Sequence, residues 1–120
     1  MKILCVGDSW TYGHGVNKDQ AWPAILQKKY GVKVKNVGKP GVGNMAIADR
    51  AIDELKQQNY NLVIAGWSGV TRYVVNEEMI DFSYSKDVKV RDKFFKNKSI
   101  SHIEDDFNDC RNKLKNKCKN

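Results

Sequence analysis

The amino-acid sequence predicts an α/β fold in which helices cover both faces of a short parallel sheet. Three observations predict it. Residues 2 to 6 form a nearly continuous apolar run that stops at Gly7, the pattern of a strand buried on both faces. Strand-like patterns return at 32–37 and 61–67, and apolar residues recur at helical spacing in the stretches between. The resulting order over the first 67 residues is strand, helix, strand, helix, strand, which requires right-handed crossovers. All three strands then end at one edge of the sheet, where ligands bind in open sheets of this class.

Taken in order, the first strand delivers Ser9 at its carboxyl end. A polar, glycine-bearing loop leads to a helix over 21–30, with Pro23 in its first turn and Gly31 as its stop. Trp22, Ile25, Leu26 and Tyr30 are its expected buried stripe. Residues 32–37 alternate apolar and polar, as a half-exposed or edge strand does. The glycine-rich loop 38–44 follows, and Asn44 caps a helix with Met45, Ile47, Ala48, Ala51, Ile52 and Leu55 on one face. After the third strand, 73–98 reads as an irregular or partly helical excursion. A C-terminal helix over 99–118 has Ile100, Ile103, Phe107, Cys110, Leu114 and Cys118 at helical spacing, with Ser101 to Glu104 as its capping box.

With 120 residues and 41% hydrophobic content, the chain supports one core, so 1–120 is expected to be a single domain. No window reaches the roughly 18 apolar residues that a membrane span needs. The amino-terminal apolar run breaks at Gly7-Asp8, too early for a secretory signal, so a cytoplasmic protein is expected. Three cysteines make no disulfide framework, because Cys110 and Cys118 on one helix would stand about 12 Å apart along its axis. Cys5, Cys110, Cys118, His14 and His102 lack metal-ligand spacing, and no metal is expected. The net charge of +7 is concentrated in the tail, where 86–120 holds 11 Lys/Arg against 6 Asp/Glu. Without a nucleic-acid motif that excess reads as a solvated helix face rather than a nucleic-acid surface.

A serine hydroxyl becomes a nucleophile only with a base to take its proton and donors for the oxyanion. Ser9 lies in a turn that Gly7 keeps tight and that Asp8 supports by accepting from nearby N–H groups. Gly-Asp-Ser alone is common by chance, and by itself reads as a capped turn. A nucleotide cradle is excluded, because Asp8 and Trp10 stand where glycines and free N–H groups are needed.

The run Gly7-Asp8-Ser9-Trp10-x-x-Gly13, then Ala21-Trp22-Pro23-x-x-Leu26, then Asn36-Val37-x-x-Pro40-Gly41-x-x-Asn44, resembles the SGNH (GDSL-type) hydrolases. The likeness spans 1–72 and is strongest to variants from tailed-phage genomes, which would make the protein virus-encoded. It implies a three-layer, flavodoxin-like fold. It also implies hydrolysis of esters, such as acetyl groups of a glycan or lipid, through an acyl-Ser9 intermediate and without a cofactor. The backbone N–H groups of Ser9 and Gly41 are the implied oxyanion donors. Trp10 and Trp67 flank the implied pocket, with Asn44 and Arg72 as further substrate contacts, Arg72 for an anionic or sugar-like group.

Two family blocks depart from the pattern. Where Gly-x-Asn-Asp is expected the chain reads Gly66-Trp67-Ser68-Gly69, so Ser68 is the candidate oxyanion substitute. The Asp-x-x-His block is absent; His14 is the candidate base, while His102 reads as an exposed residue at a helix start. A three-strand sheet would also have an open edge, implying a truncated fold, a completing chain or a homo-oligomer. Two other readings stay open: a non-catalytic glycan- or acyl-binding module, and a basic nucleic-acid-associating protein.

Overall fold

In the computed structural model, which describes residues 1–75, 78–81, 89, 92, 93, 96 and 98–119, the central element is strand β1 (Lys2–Gly7). It pairs in parallel with β2 (Lys33–Asn36) on one side and β3 (Leu62–Gly66) on the other, giving the order β2-β1-β3. The helices are α1 (Ser9–Tyr12), α2 (Trp22–Tyr30), α3 (Asn44–Gln57) and α4 (Ile100–Cys118), with a short 3-10 turn at Lys18–Gln20. This is the predicted α/β architecture with a short parallel sheet.

Successive residues of β1 point to opposite faces, and both faces are covered. Leu4 and Val6 enter a core with Val42, Ile47, Ala51 and Leu114, which α3 and α4 close. Ile3 and Cys5, also buried, face the side carrying α1. Burial in this apolar setting pushes the Cys5 thiol up to about 11, so it remains protonated and unreactive at neutral pH.

The edges of the sheet differ. Lys33 and Lys35 line β2, and the Val34 N–H is taken by the Gln27 side chain of α2 at 3.0 Å, so this edge is blunted against further pairing. Among the described residues no strand pairs with the outer edge of β3, whose sequence Leu-Val-Ile-Ala-Gly carries no charge. No described helix is long and apolar enough to cross a membrane.

Several local expectations are corrected. The buried stripe of α2 forms only in part: Trp22 and Leu26 are half-buried, Ile25 and Tyr30 are exposed, and full burial falls on Ala21 and Pro23 at the helix start. The reason is that α2 packs beside a four-residue edge strand, too narrow to cover its whole length. Met45 likewise faces outward, leaving Ile47, Ala48 and Ala51 as the buried face of α3. Within the expected irregular stretch 73–98, β4 (Arg72–Val75) and β5 (Glu78–Asp81) form an antiparallel pair. The remaining residues of that stretch lie largely outside the described ones.

Helix α4 starts two residues earlier than the Ser101 capping box implies. Ser99 is the N-cap, accepting from the His102 N–H at 3.3 Å. Ile103, Cys110 and Leu114 are its buried residues, and a Lys113–Asp49 ion pair at 2.7 Å ties it to α3. Lys115 and Lys117 in its last turn suit the negative end of the helix dipole. Since Leu114 belongs to the main core, Leu114→Ala is expected to cost about 2–5 kcal/mol in urea unfolding. Truncating the exposed Ile100 should stay within about 0.5 kcal/mol. Equal effects would show α4 to be an appended tail.

Candidate active site

The site is assembled around Gly7. Its position pairs with Gly66 in the β1–β3 register, and its carbonyl accepts the Lys39 N–H at 3.0 Å. Ser9, Gly41 and Ser68 each lie two residues beyond one of these three backbone points, a chain reach of at most about 7 Å. The three loops that carry candidate residues therefore start from one place.

Helix α1 is a single turn, far too short to persist without outside support. Asp8 is its N-cap, accepting from the Trp10 N–H at 3.1 Å, and Gly13 ends it in a left-handed conformation at φ 87°. Beneath it, Thr11 is buried against the paired glycines. A Cβ on Gly7 would collide with Thr11 Oγ1, and one on Gly66 would stand 2.8 Å from the same atom. On another side Gly38 packs so closely that a Cβ would lie 2.5 Å from the Tyr12 nitrogen. The Asn36 amide completes the clamp, donating to the Thr11 carbonyl at 2.8 Å and accepting from Gly38 N–H at 2.9 Å.

No protein-family model and no curated protein matches the chain. Solved structures do. AlinE4, an SGNH-hydrolase family esterase, is 29% identical with a TM-score of 0.50, over 57% of this chain and 40% of that one. TesA matches with a TM-score of 0.63 at 17% identity, over 98% of this chain and 56% of that one. The chain has the SGNH-hydrolase fold. A psychrotrophic esterase, EstA from Pseudoalteromonas sp., matches at 22% identity and a TM-score of 0.50, over 56% of this chain and 39% of that one. The chain spans about two fifths of the AlinE4 and EstA structures it matches.

On this SGNH scaffold Ser9 is the first residue of α1, half-buried at the carboxyl end of the central strand. Gly41 is exposed and left-handed at φ 72°, with open space where a side chain would stand. Trp10 is 84% exposed beside Ser9. The His14 backbone N–H donates to the Ser9 carbonyl at 2.9 Å, and its side chain is exposed. Among the described residues neither His14 nor His102 hydrogen-bonds the Ser9 hydroxyl. No group of three or more His, Cys, Asp or Glu able to hold a metal occurs among them.

Three expected substrate contacts are engaged elsewhere. Asn44 is buried and spends both ends of its amide on Ser68, accepting from its N–H at 2.8 Å and donating to its carbonyl at 3.1 Å. It does not cap α3, whose N-cap is Gly43. Trp67 packs edge-on against Phe107 of α4 at 5.7 Å and lies against the main core. Arg72 sets its guanidinium 3.6 Å from the Asp8 carboxylate. The Ser68 hydroxyl is the one buried side-chain polar atom without a partner among the described residues.

A cavity of about 370 Å³ lies between the start of α3, the start of β4 and α4, walled by Met45, Val70, Arg72, Tyr73, Phe107 and Cys110. Ser9 does not line it; Arg72 stands between the two. At its far wall Tyr73 donates to Asp106 at 2.7 Å, and Lys98 pairs with Asp106 while lying over the Tyr73 ring. The Lys98 bond holds the Asp106 carboxyl below its ordinary value, with the Tyr73 bond adding to it.

The residues that hold α1, namely Thr11, Asn36, Gly38 and Gly66, were not singled out for that role by sequence. The available signal was glycine at the ends of two neighbouring strands, which marks close backbone approach. Gly7→Ala is expected to cost about 1–3 kcal/mol in urea unfolding, since its Cβ also meets the Gly66 carbonyl at 2.8 Å. A wild-type midpoint would refute the close packing. Because the Asp106 pKa is lowered on folding, the stability it contributes is present above its ordinary value of 3.8 and is lost as pH falls through the lower folded value. Asp106→Asn should flatten that acid limb in pH-dependent melting.

Proposed function

We propose that the chain is a serine ester hydrolase that works through an acyl-Ser9 intermediate. The observation that carries this reading is Ser9 at the first residue of α1, at the carboxyl end of the central strand of an SGNH fold, with left-handed Gly41 on the adjoining loop. The likeness to AlinE4, an SGNH-hydrolase family esterase, supports the same chemistry.

In this reading Ser9 Oγ attacks the ester carbonyl and His14 takes its proton. The carbonyl oxygen gains the negative charge, stabilised by the backbone N–H groups of Ser9 and Gly41 and by the unpartnered hydroxyl of Ser68. Collapse expels the alcohol, which recovers the proton from His14, and water then releases the acyl group by the reverse sequence. Trp10 offers an exposed indole face beside Ser9, which favours a glycan ester on which a sugar ring can stack.

A second reading, a glycan- or acyl-binding module, is favoured by the lack of a histidine bonded to the Ser9 hydroxyl among the described residues. Fluorophosphonate labelling separates the two. The hydrolase reading expects labelling that Ser9→Ala abolishes and His14→Ala slows about 100-fold or more. Labelling that survives Ser9→Ala would sink it. An unlabelled but folded wild-type protein that binds acetylated glycans would establish the module instead.

A further inference from the structure

We propose that Arg72 is a positioning residue for the nucleophile turn, acting on Ser9 through Asp8. The inference rests on the reading of Ser9 as nucleophile and assigns Arg72 a role other than gripping substrate. Asp8 immediately precedes Ser9 and is buried. One carboxylate oxygen, Oδ1, accepts from the Trp10 N–H and so holds α1; the other, Oδ2, is the oxygen that Arg72 faces at 3.6 Å. A buried carboxylate stripped of its cationic partner is costly, and its uncompensated charge would stand next to the atom whose attack creates a second negative charge. Arg72 answers both needs. It fixes the rotamer that caps α1 and neutralises the charge beside the developing oxyanion.

The delivery of Arg72 to Asp8 is itself built. Arg72 opens β4, after a loop whose second residue, Ser68, is clamped at both backbone groups by Asn44. The Arg72 N–H closes that loop onto the Gly69 carbonyl at 3.2 Å. Gly43 presses on the Arg72 backbone so closely that a Cβ would lie 2.9 Å from the Arg72 carbonyl oxygen. The next residue, Tyr73, is bound to Asp106 of α4. An uninterrupted set of contacts thus runs from α3 and α4 through Arg72 to the turn that carries Ser9. An arginine that served only substrate would have no need of a buried acceptor on the nucleophile's own cap.

The test compares wild type, Arg72→Met, Arg72→Lys, Asp8→Asn and the double variant Asp8→Asn/Arg72→Met, by rate of fluorophosphonate labelling at Ser9, ester kinetics and melting temperature. Arg72→Met is expected to slow labelling about 10-fold or more and to lower kcat with KM nearly unchanged. Arg72→Lys, which keeps the charge, should recover part of the loss. The double variant should label no slower and melt no lower than Arg72→Met alone, because the carboxylate that needed compensation is gone. A raised KM with unchanged kcat, together with additive losses in the double variant, would overturn the proposal in favour of substrate binding. If wild type does not label, the hydrolase reading fails, and the melting cycle decides the pair: additive losses refute it, and non-additive losses keep Arg72 as the partner that holds the Asp8 turn.

Discussion

Everything at the candidate site depends on how closely α1 approaches the carboxyl edge of the sheet. A single helical turn has almost no stability of its own, so its geometry must come from what it touches. Gly7 and Gly66, side by side in register, leave a shallow place in which Thr11 sits, and Gly38 closes it from the loop after β2. With Asn36 bonded to the Thr11 carbonyl, elements that follow three different strands hold one turn. Ser9 inherits its position from that arrangement, and Gly41 and Ser68 start their own loops from the same backbone hub.

The polar contacts around this hub divide into two kinds. Asn44 and Asn36 spend their amides on backbone groups of neighbouring loops, which converts flexible glycine-rich segments into fixed ones. Arg72 and Asp8 form an ion pair at the site, joining β4 to the cap of α1. Trp10 is exposed and Gly41 has open space beside it, whereas the unpartnered hydroxyl of Ser68 is buried.

Helix α4 ties the far part of the chain to this centre. Leu114 enters the same core as Leu4 and Val6, and Phe107 meets Trp67 directly after β3. The Tyr73–Asp106–Lys98 cluster links α4 to β4, so the contacts that seat Arg72 reach across the chain's full length. By contrast, no strand among the described residues pairs with the uncharged outer edge of β3, while Lys33, Lys35 and Gln27 blunt the edge of β2.

Local sequence determined the elements whose signals are local. The apolar run before Gly7, the helical spacing of Ile47, Ala48 and Ala51, and the strand before Trp67 each carry their own periodicity, and their order dictates a parallel sheet with its loops at one edge. The same reading placed Ser9 and Gly41 at that edge. What only the tertiary structure decided is which partners the polar and aromatic side chains there take. Asn44, Trp67 and Arg72 are chemically suited to a substrate, yet each found a partner more than 20 residues away: Ser68, Phe107 and Asp8. Such pairings leave no periodic trace in a sequence, because they depend on distances between loops set by the packing of glycine against helix rather than by the spacing of residues along the chain.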